Sequence, residues 1–162
     1  MEQASHAAIV AELLSGEYPD AATELDYGSP WELLVATVLS AQCTDVRVNK
    51  VTPGLFDRWP RPEDLASATQ EEIETMIRST GMFRRKASSL RATAAIVVSD
   101  YGGEVPDDLE ALVALPGVGR KTAKVVLGEG IGIAAGVTVD THVRRLARRL
   151  GLTRLEDPEK IA

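Results

Sequence analysis

Cysteine is nearly missing from this chain: Cys43 is the one thiol in 162 residues, which excludes an internal disulfide and an all-cysteine metal site. No apolar run approaches the ~20 residues a helix needs to cross a bilayer. No charged-then-apolar leader opens the sequence, so secretion is not expected and the cytoplasm is the default compartment. Internal repeats, low-complexity tracts and flexible linkers are missing as well, and strand patterns are scarce, with only Gly136–Val139 suggesting a short extended piece. These absences leave a globular chain, 44% hydrophobic and 26% charged, long enough for one well-packed domain or for one domain and part of a second.

Positive charge is also short overall, at a net −6, which argues against a nucleic-acid binder until the balance is split. Met1–Thr80 carry five Lys/Arg against fourteen Asp/Glu, a balance of −9; Gly81–Ala162 carry thirteen against ten, a balance of +3. The excess gathers in Arg84-Arg85-Lys86, in Arg120-Lys121 with Lys124, and in Arg144-Arg145 with Arg148-Arg149. A local basic strip suits a phosphate backbone, because the field at the contact surface is what counts. On charge alone, ordinary solvated helix faces explain the same pattern.

What fills the chain is helical periodicity. Ala4–Ser15 stops at Gly16, Pro30 follows Ser29 as a helix start, and Trp31–Cys43 is apolar enough to be a buried helix. Asp45–Trp59 reads as a helix that Pro53 kinks or divides. Pro62–Ala68 and Glu71–Ser79 are short, Arg84–Tyr101 ends at Gly102-Gly103, Asp107–Ala114 follows Pro106, and Thr141–Leu150 ends at Gly151, with Leu146 and Leu150 on its buried side. Asp157-Pro158-Glu159 announces one more helix that has almost no residues left to run, which suggests a fragment. The fold class is all-α.

Within this pattern, Leu115–Thr122 is unusual. Pro116, Gly117 and Gly119 make a tight turn that opens into a helix carrying Arg120, Lys121 and Lys124 early. Cations at a helix start oppose the macrodipole, each at a cost of roughly 0.3–1 kcal/mol, so they imply a use. Backbone N–H groups at such a start bind anions. A P-loop reading fails, because Arg120 occupies the required glycine and strand–helix alternation is missing. A helix-hairpin-helix, Asp107–Ala114, Leu115–Gly119 and the helix from Arg120, grips a nucleic-acid backbone without reading bases. A transcription-factor reading of Glu71–Val98 finds no base-reading helix to support it.

The segments "LPGVGRKTA", "TVDTH" and "LLVATVLSAQCTDVRVN", with "STGMFRRKASSL" and "GEVPDDLEALVALPG", resemble those of the endonuclease III family of DNA glycosylases, in the same order from about Pro30 to Ala162. The resemblance implies a multi-helix fold in two parts: a helical barrel over 22–134 with the hairpin motif at 107–127, and part of a second domain from 1–21 plus 135–162. It implies base-excision repair by a bifunctional glycosylase and abasic-site lyase acting on oxidised pyrimidines in double-stranded DNA. The enzyme would work as a monomer in the cytoplasm, associated with the nucleoid and not with membranes. It assigns the nucleophile to Lys121 and the activating carboxylate to Asp140. An amine can attack the anomeric carbon and leave a Schiff base, and a carboxylate can steady the cationic sugar or move protons. Arg120, Lys124 and the positive helix pole would then favour the neutral amine.

By the same resemblance Gln42 fills the hole left by an extruded base and Met82 wedges the opposite side. Gly117, Val118, Gly119, Arg120 and Thr122 form the DNA-gripping hairpin, and Arg84, Lys86 and His142, with Arg85 and the arginines after His142, are phosphate-side candidates. Duller roles stand beside these: a surface phosphate contact for Lys121, a helix N-cap for Asp140, a surface helix end for Gln42, loop-end packing for Met82 and a structural His142. The family usually carries asparagine where this chain has Lys124. It also commonly holds a four-iron four-sulfur cluster through a C-terminal four-cysteine segment, which this chain lacks. Two rival functions remain: an adenine-mismatch glycosylase, whose branch usually lacks a lysine at this hairpin position, and a non-catalytic helix-hairpin-helix DNA-binding module.

Overall fold

The computed structural model describes residues 2–161. They form two compact units, one over Glu24–Ala135 and one that joins the residues up to Thr23 to those from Gly136 onward. Both are helical, and no strand occurs among the described residues; Gly136–Val139, expected to be extended, is irregular and pairs with nothing as a strand.

The first unit is built around α2 (Pro30–Ser40). Ser29 caps it, its hydroxyl accepting the Glu32 N–H at 3.2 Å, and Pro30 fills the first position. Trp31, Leu33, Leu34, Val35, Ala36, Val38 and Leu39 are all buried, so this helix is enclosed on nearly every side, as its continuous apolar run requires. It stops earlier than the sequence pattern suggests, because the Thr37 and Ser40 hydroxyls bond back to the Leu33 and Thr37 carbonyls and the chain turns at Gln42. Helix α3 (Asp45–Arg58), capped by Thr44, runs through Pro53 undivided; Pro53 lies on its exposed face, where water can reach the carbonyl released.

Short helices α4 (Pro62–Ser67) and α5 (Gln70–Ile77), with a 3-10 turn over Arg78–Thr80, lead to the long α6 (Phe83–Tyr101). Its buried stripe is Lys86, Ala87, Leu90, Thr93, Ala94 and Val97, a spacing of three and four that keeps one face inward. Gly102, at φ +63°, ends it in a left-handed turn, and the Gly103 N–H donates to the Val97 carbonyl at 2.9 Å. Helix α7 (Leu109–Val113) is shorter than expected, since Asp108 serves as its cap by accepting the Ala111 N–H at 2.8 Å. Helix α8 (Arg120–Val125) widens into a π turn over Val126–Ile131 that packs on α2; a Cβ on Gly130 would stand 3.1 Å from Leu33.

The second unit holds α1 (Glu2–Glu17), α9 (Thr141–Arg149) and α10 (Pro158–Ile161). The side chains of Pro158 and Glu159, part of the expected start signal, lie outside the described ones. The His6 imidazole Nε2 meets the Leu150 carbonyl at 2.7 Å, tying α1 to the end of α9. Ala147 is buried here, whereas Leu146 and Leu150, expected inside, are 49% and 39% exposed. A unit of about fifty residues encloses little volume.

Two measurements check this packing. Leu90→Ala, at a site with no exposure, should cost about 2–5 kcal/mol in denaturant unfolding. The Thr69 N–H and hydroxyl hold the Glu72 carboxyl below its usual range. Its contribution is therefore present above the unfolded value near ~4.3 and lost as pH falls through the lower folded one. Glu72→Gln should flatten that acid limb of the stability curve.

Candidate nucleic-acid interface and catalytic residues

The hairpin lies on α6 because its backbone can come close. Gly117 has φ +79°, and a Cβ there would sit 2.8 Å from the Ser89 Cβ, so only glycine suits both the turn and the approach. The Thr93 hydroxyl, on the same helix, donates to the Pro116 carbonyl at 2.9 Å. Val118, expected in the DNA-gripping hairpin, has a side chain only 6% exposed, and its N–H donates to the Leu115 carbonyl at 3.1 Å. Its part is to anchor the hairpin in the core.

Gly119 occupies the N-cap position of α8 in extended conformation with no side-chain cap, and Lys121 follows on the exposed side of the first turn, with Thr122 and Lys124 half-buried. Arg120 donates to Glu110 at 2.9 Å across the hairpin, so its charge is offset, unlike the bare cation of the sequence pattern. Both ends of that ion pair stay open to solvent.

Two turns beside the hairpin carry the other candidates. Gln42 and Met82 have φ +53° and +44°, the only non-glycine residues in the left-handed region among those described. Such strain persists where the surroundings over-determine it, often at functional positions. Gln42 is exposed and Met82 is 44% exposed, so neither is a packing residue. One groove of about 230 Å³ gathers both turns and the hairpin, lined by Val38, Ala41, Met82, Arg85, Lys86, Ser89 and Gly117. Arg84, 82% exposed along its side chain, and Arg85 flank Met82 on the outside.

Lys86 corrects the expectation of a phosphate contact. It is 4% exposed, and its ammonium donates to the Leu39 carbonyl at 2.8 Å and the Thr80 carbonyl at 2.7 Å. Those carbonyls sit at the ends of α2 and of the 3-10 turn, where helical partners run out, so burial demands a donor. Desolvation lowers the pKa of the ammonium from its ordinary value, with Cys43 acting in the opposite sense. The sequence did contain the signal: Lys86, Leu90, Thr93 and Val97 share one helical face, and the neighbouring Arg84-Arg85 masks it.

In the other unit, Asp140 caps α9, one carboxylate oxygen accepting the N–H groups of His142 at 2.9 Å and Val143 at 2.8 Å. His142 is exposed, and its Nδ1 accepts from Arg145 at 3.1 Å. Arg148 pairs with Glu156 at 3.1 Å, and Arg144 reaches the Glu156 carbonyl.

Residues 35–162 match the HhH-GPD superfamily of base excision DNA repair proteins. The chain is 56% identical over 149 residues to endonuclease III of Synechocystis, covering 92% of this chain and 68% of that protein. This chain belongs to the endonuclease III family. Endonuclease III of Bacillus subtilis is 49% identical over 140 residues, 86% of this chain and 64% of its own length. Two solved members of the family superpose with TM-scores of 0.85 and 0.84: a non-covalent endonuclease III–DNA complex at 44% identity and a trapped covalent endonuclease III–DNA intermediate at 45%. Each covers 94% of this chain, which spans 71% and 72% of theirs. An iron–sulfur cluster does not fit the residues present: Cys43 is a single thiol, and no group of three or more metal-ligating side chains occurs among the described residues.

The Gly117 contact yields a direct check. Gly117→Ala should lose roughly 1–3 kcal/mol of stability from the positive φ and the Ser89 clash, and binding of any DNA duplex should weaken with it. Calorimetric melting and fluorescence anisotropy would measure the two losses.

Proposed function

We propose that this chain carries the DNA-engaging and base-excising machinery of a bifunctional glycosylase and abasic-site lyase that acts on oxidised pyrimidines in duplex DNA. The observation that supports it most is the groove in which the hairpin, the Gln42 turn and the Met82 turn meet, with Lys121 in the first helical turn after the hairpin. Relatives of the same fold are known on DNA, one of them covalently trapped.

In this reading the hairpin holds the backbone, Met82 replaces lost stacking, and Gln42 offers amide hydrogen bonds to the base left without a partner. The Lys121 amine attacks the sugar C1′ as the C1′–N bond breaks and the base leaves with the electron pair. Asp140 steadies the positive charge on the sugar in that step. Opening of the sugar ring gives a Schiff base between Lys121 and C1′. That cation acidifies the C2′ hydrogens; loss of one proton expels the 3′ phosphate, and the strand is cut.

Asp140 is both cap and candidate catalyst, and two substitutions separate the roles. Asp140→Asn keeps an oxygen that can cap α9, so stability should move by no more than about 0.5 kcal/mol, while strand cleavage slows by orders of magnitude; Asp140→Ala should also lose about 1 kcal/mol. Borohydride should join the wild-type protein covalently to abasic DNA and leave Lys121→Gln unjoined. Equal trapping of both would remove the assignment, and no trapping of either would favour the non-catalytic binding module.

A further inference from the structure

The two turns that carry Gln42 and Met82 come from distant parts of the chain, yet one side chain touches the backbone of both. Leu39 lies three residues before Gln42, and Thr80 lies two before Met82. The Lys86 ammonium donates to both of their carbonyls, at 2.8 and 2.7 Å. From its own backbone, the Lys86 N–H donates to the Met82 carbonyl at 3.0 Å, closing the first turn of α6. An ammonium has three protons and no acceptor, so it can cross-link two carbonyls in a way that an apolar side chain of the same size cannot. Its place in the wall of the shared groove keeps water from competing, since Lys86 is 4% exposed.

We propose that Lys86 is a positioning residue: by holding the Leu39 and Thr80 carbonyls together, it fixes the relative placement of the Gln42 and Met82 turns so that both side chains enter a duplex in register. The inference rests on the reading of those two residues as DNA-inserting. It accounts for an otherwise costly arrangement, two non-glycine residues in the left-handed region side by side with a buried charge. Without the clamp, each turn would relax separately, and insertion would have to re-order both.

The test uses the full-length protein and two duplexes, one undamaged and one with a tetrahydrofuran abasic analogue opposite 2-aminopurine. The ratio of their dissociation constants reads lesion preference, and the fluorescence reads unstacking of the opposite base. Lys86→Met should lower the preference about tenfold, the worth of one charge-assisted hydrogen bond, with undamaged binding by the same variant as the reference. In a Gln42→Ala, Met82→Ala background the same substitution should have no further effect on preference, because Lys86 acts through those residues. Lys86→Gln, whose shorter amide can reach one carbonyl, should fall between and serves as the probe if the Met variant does not fold. An unchanged preference in both Lys86 variants, or a loss that simply adds in the Ala background, overturns the proposal. If Gln42→Ala with Met82→Ala leaves preference and fluorescence unchanged, the reading of the inserting residues fails first, and the positioning role with it.

Discussion

Helix α6 carries the arrangement because one of its faces must do incompatible things. Leu90, Ala94 and Val97 bury it in the core, while Ser89 and Thr93 receive the hairpin and Lys86 receives two helix ends. Hydrophobic burial fixes the helix, and the polar residues between the apolar ones use that rigidity to place backbone. A binding segment held on a rigid element is more precise than one left to a loop. The hairpin therefore depends on the absence of a side chain at Gly117, which serves both the turn and the approach to Ser89.

The charge pattern has a similar logic. A chain with net charge −6 can approach a polyanion only if its positive groups are local and its negative ones are kept off the contact surface. The structure adds that several positive groups are spent internally. Arg120 faces Glu110, Arg148 faces Glu156, and Lys86 is enclosed. Near the groove, Arg85 faces outward, and Arg84 is shared with Glu74 at 4.0 Å. A count of basic residues overstates the interface; which of them are compensated decides its strength.

How much of this was legible beforehand follows from the range of the interactions. The helix start at Ser29 and the stop at Gly102 are local signals, and they place those ends to within a residue or two. The all-α class and the hairpin were readable for the same reason. The left-handed conformations of Gln42 and Met82 were not, because nothing in either residue asks for them. Lys86 was misread since its neighbours in sequence are arginines, whereas its neighbours in space are carbonyls. The burial of the Val118 side chain was likewise hidden, since motif membership says nothing of what lies beside it in space.

The bond between His6 and the Leu150 carbonyl links residues 144 positions apart. During synthesis α1 is made before its partner, the last turn of α9, and at 5–20 residues per second the wait is on the order of ten seconds. Ile9, Leu13 and Leu14 stay exposed even after that contact is made. The unit that joins α1 to α9 thus closes only after the whole of the Glu24–Ala135 unit has been made.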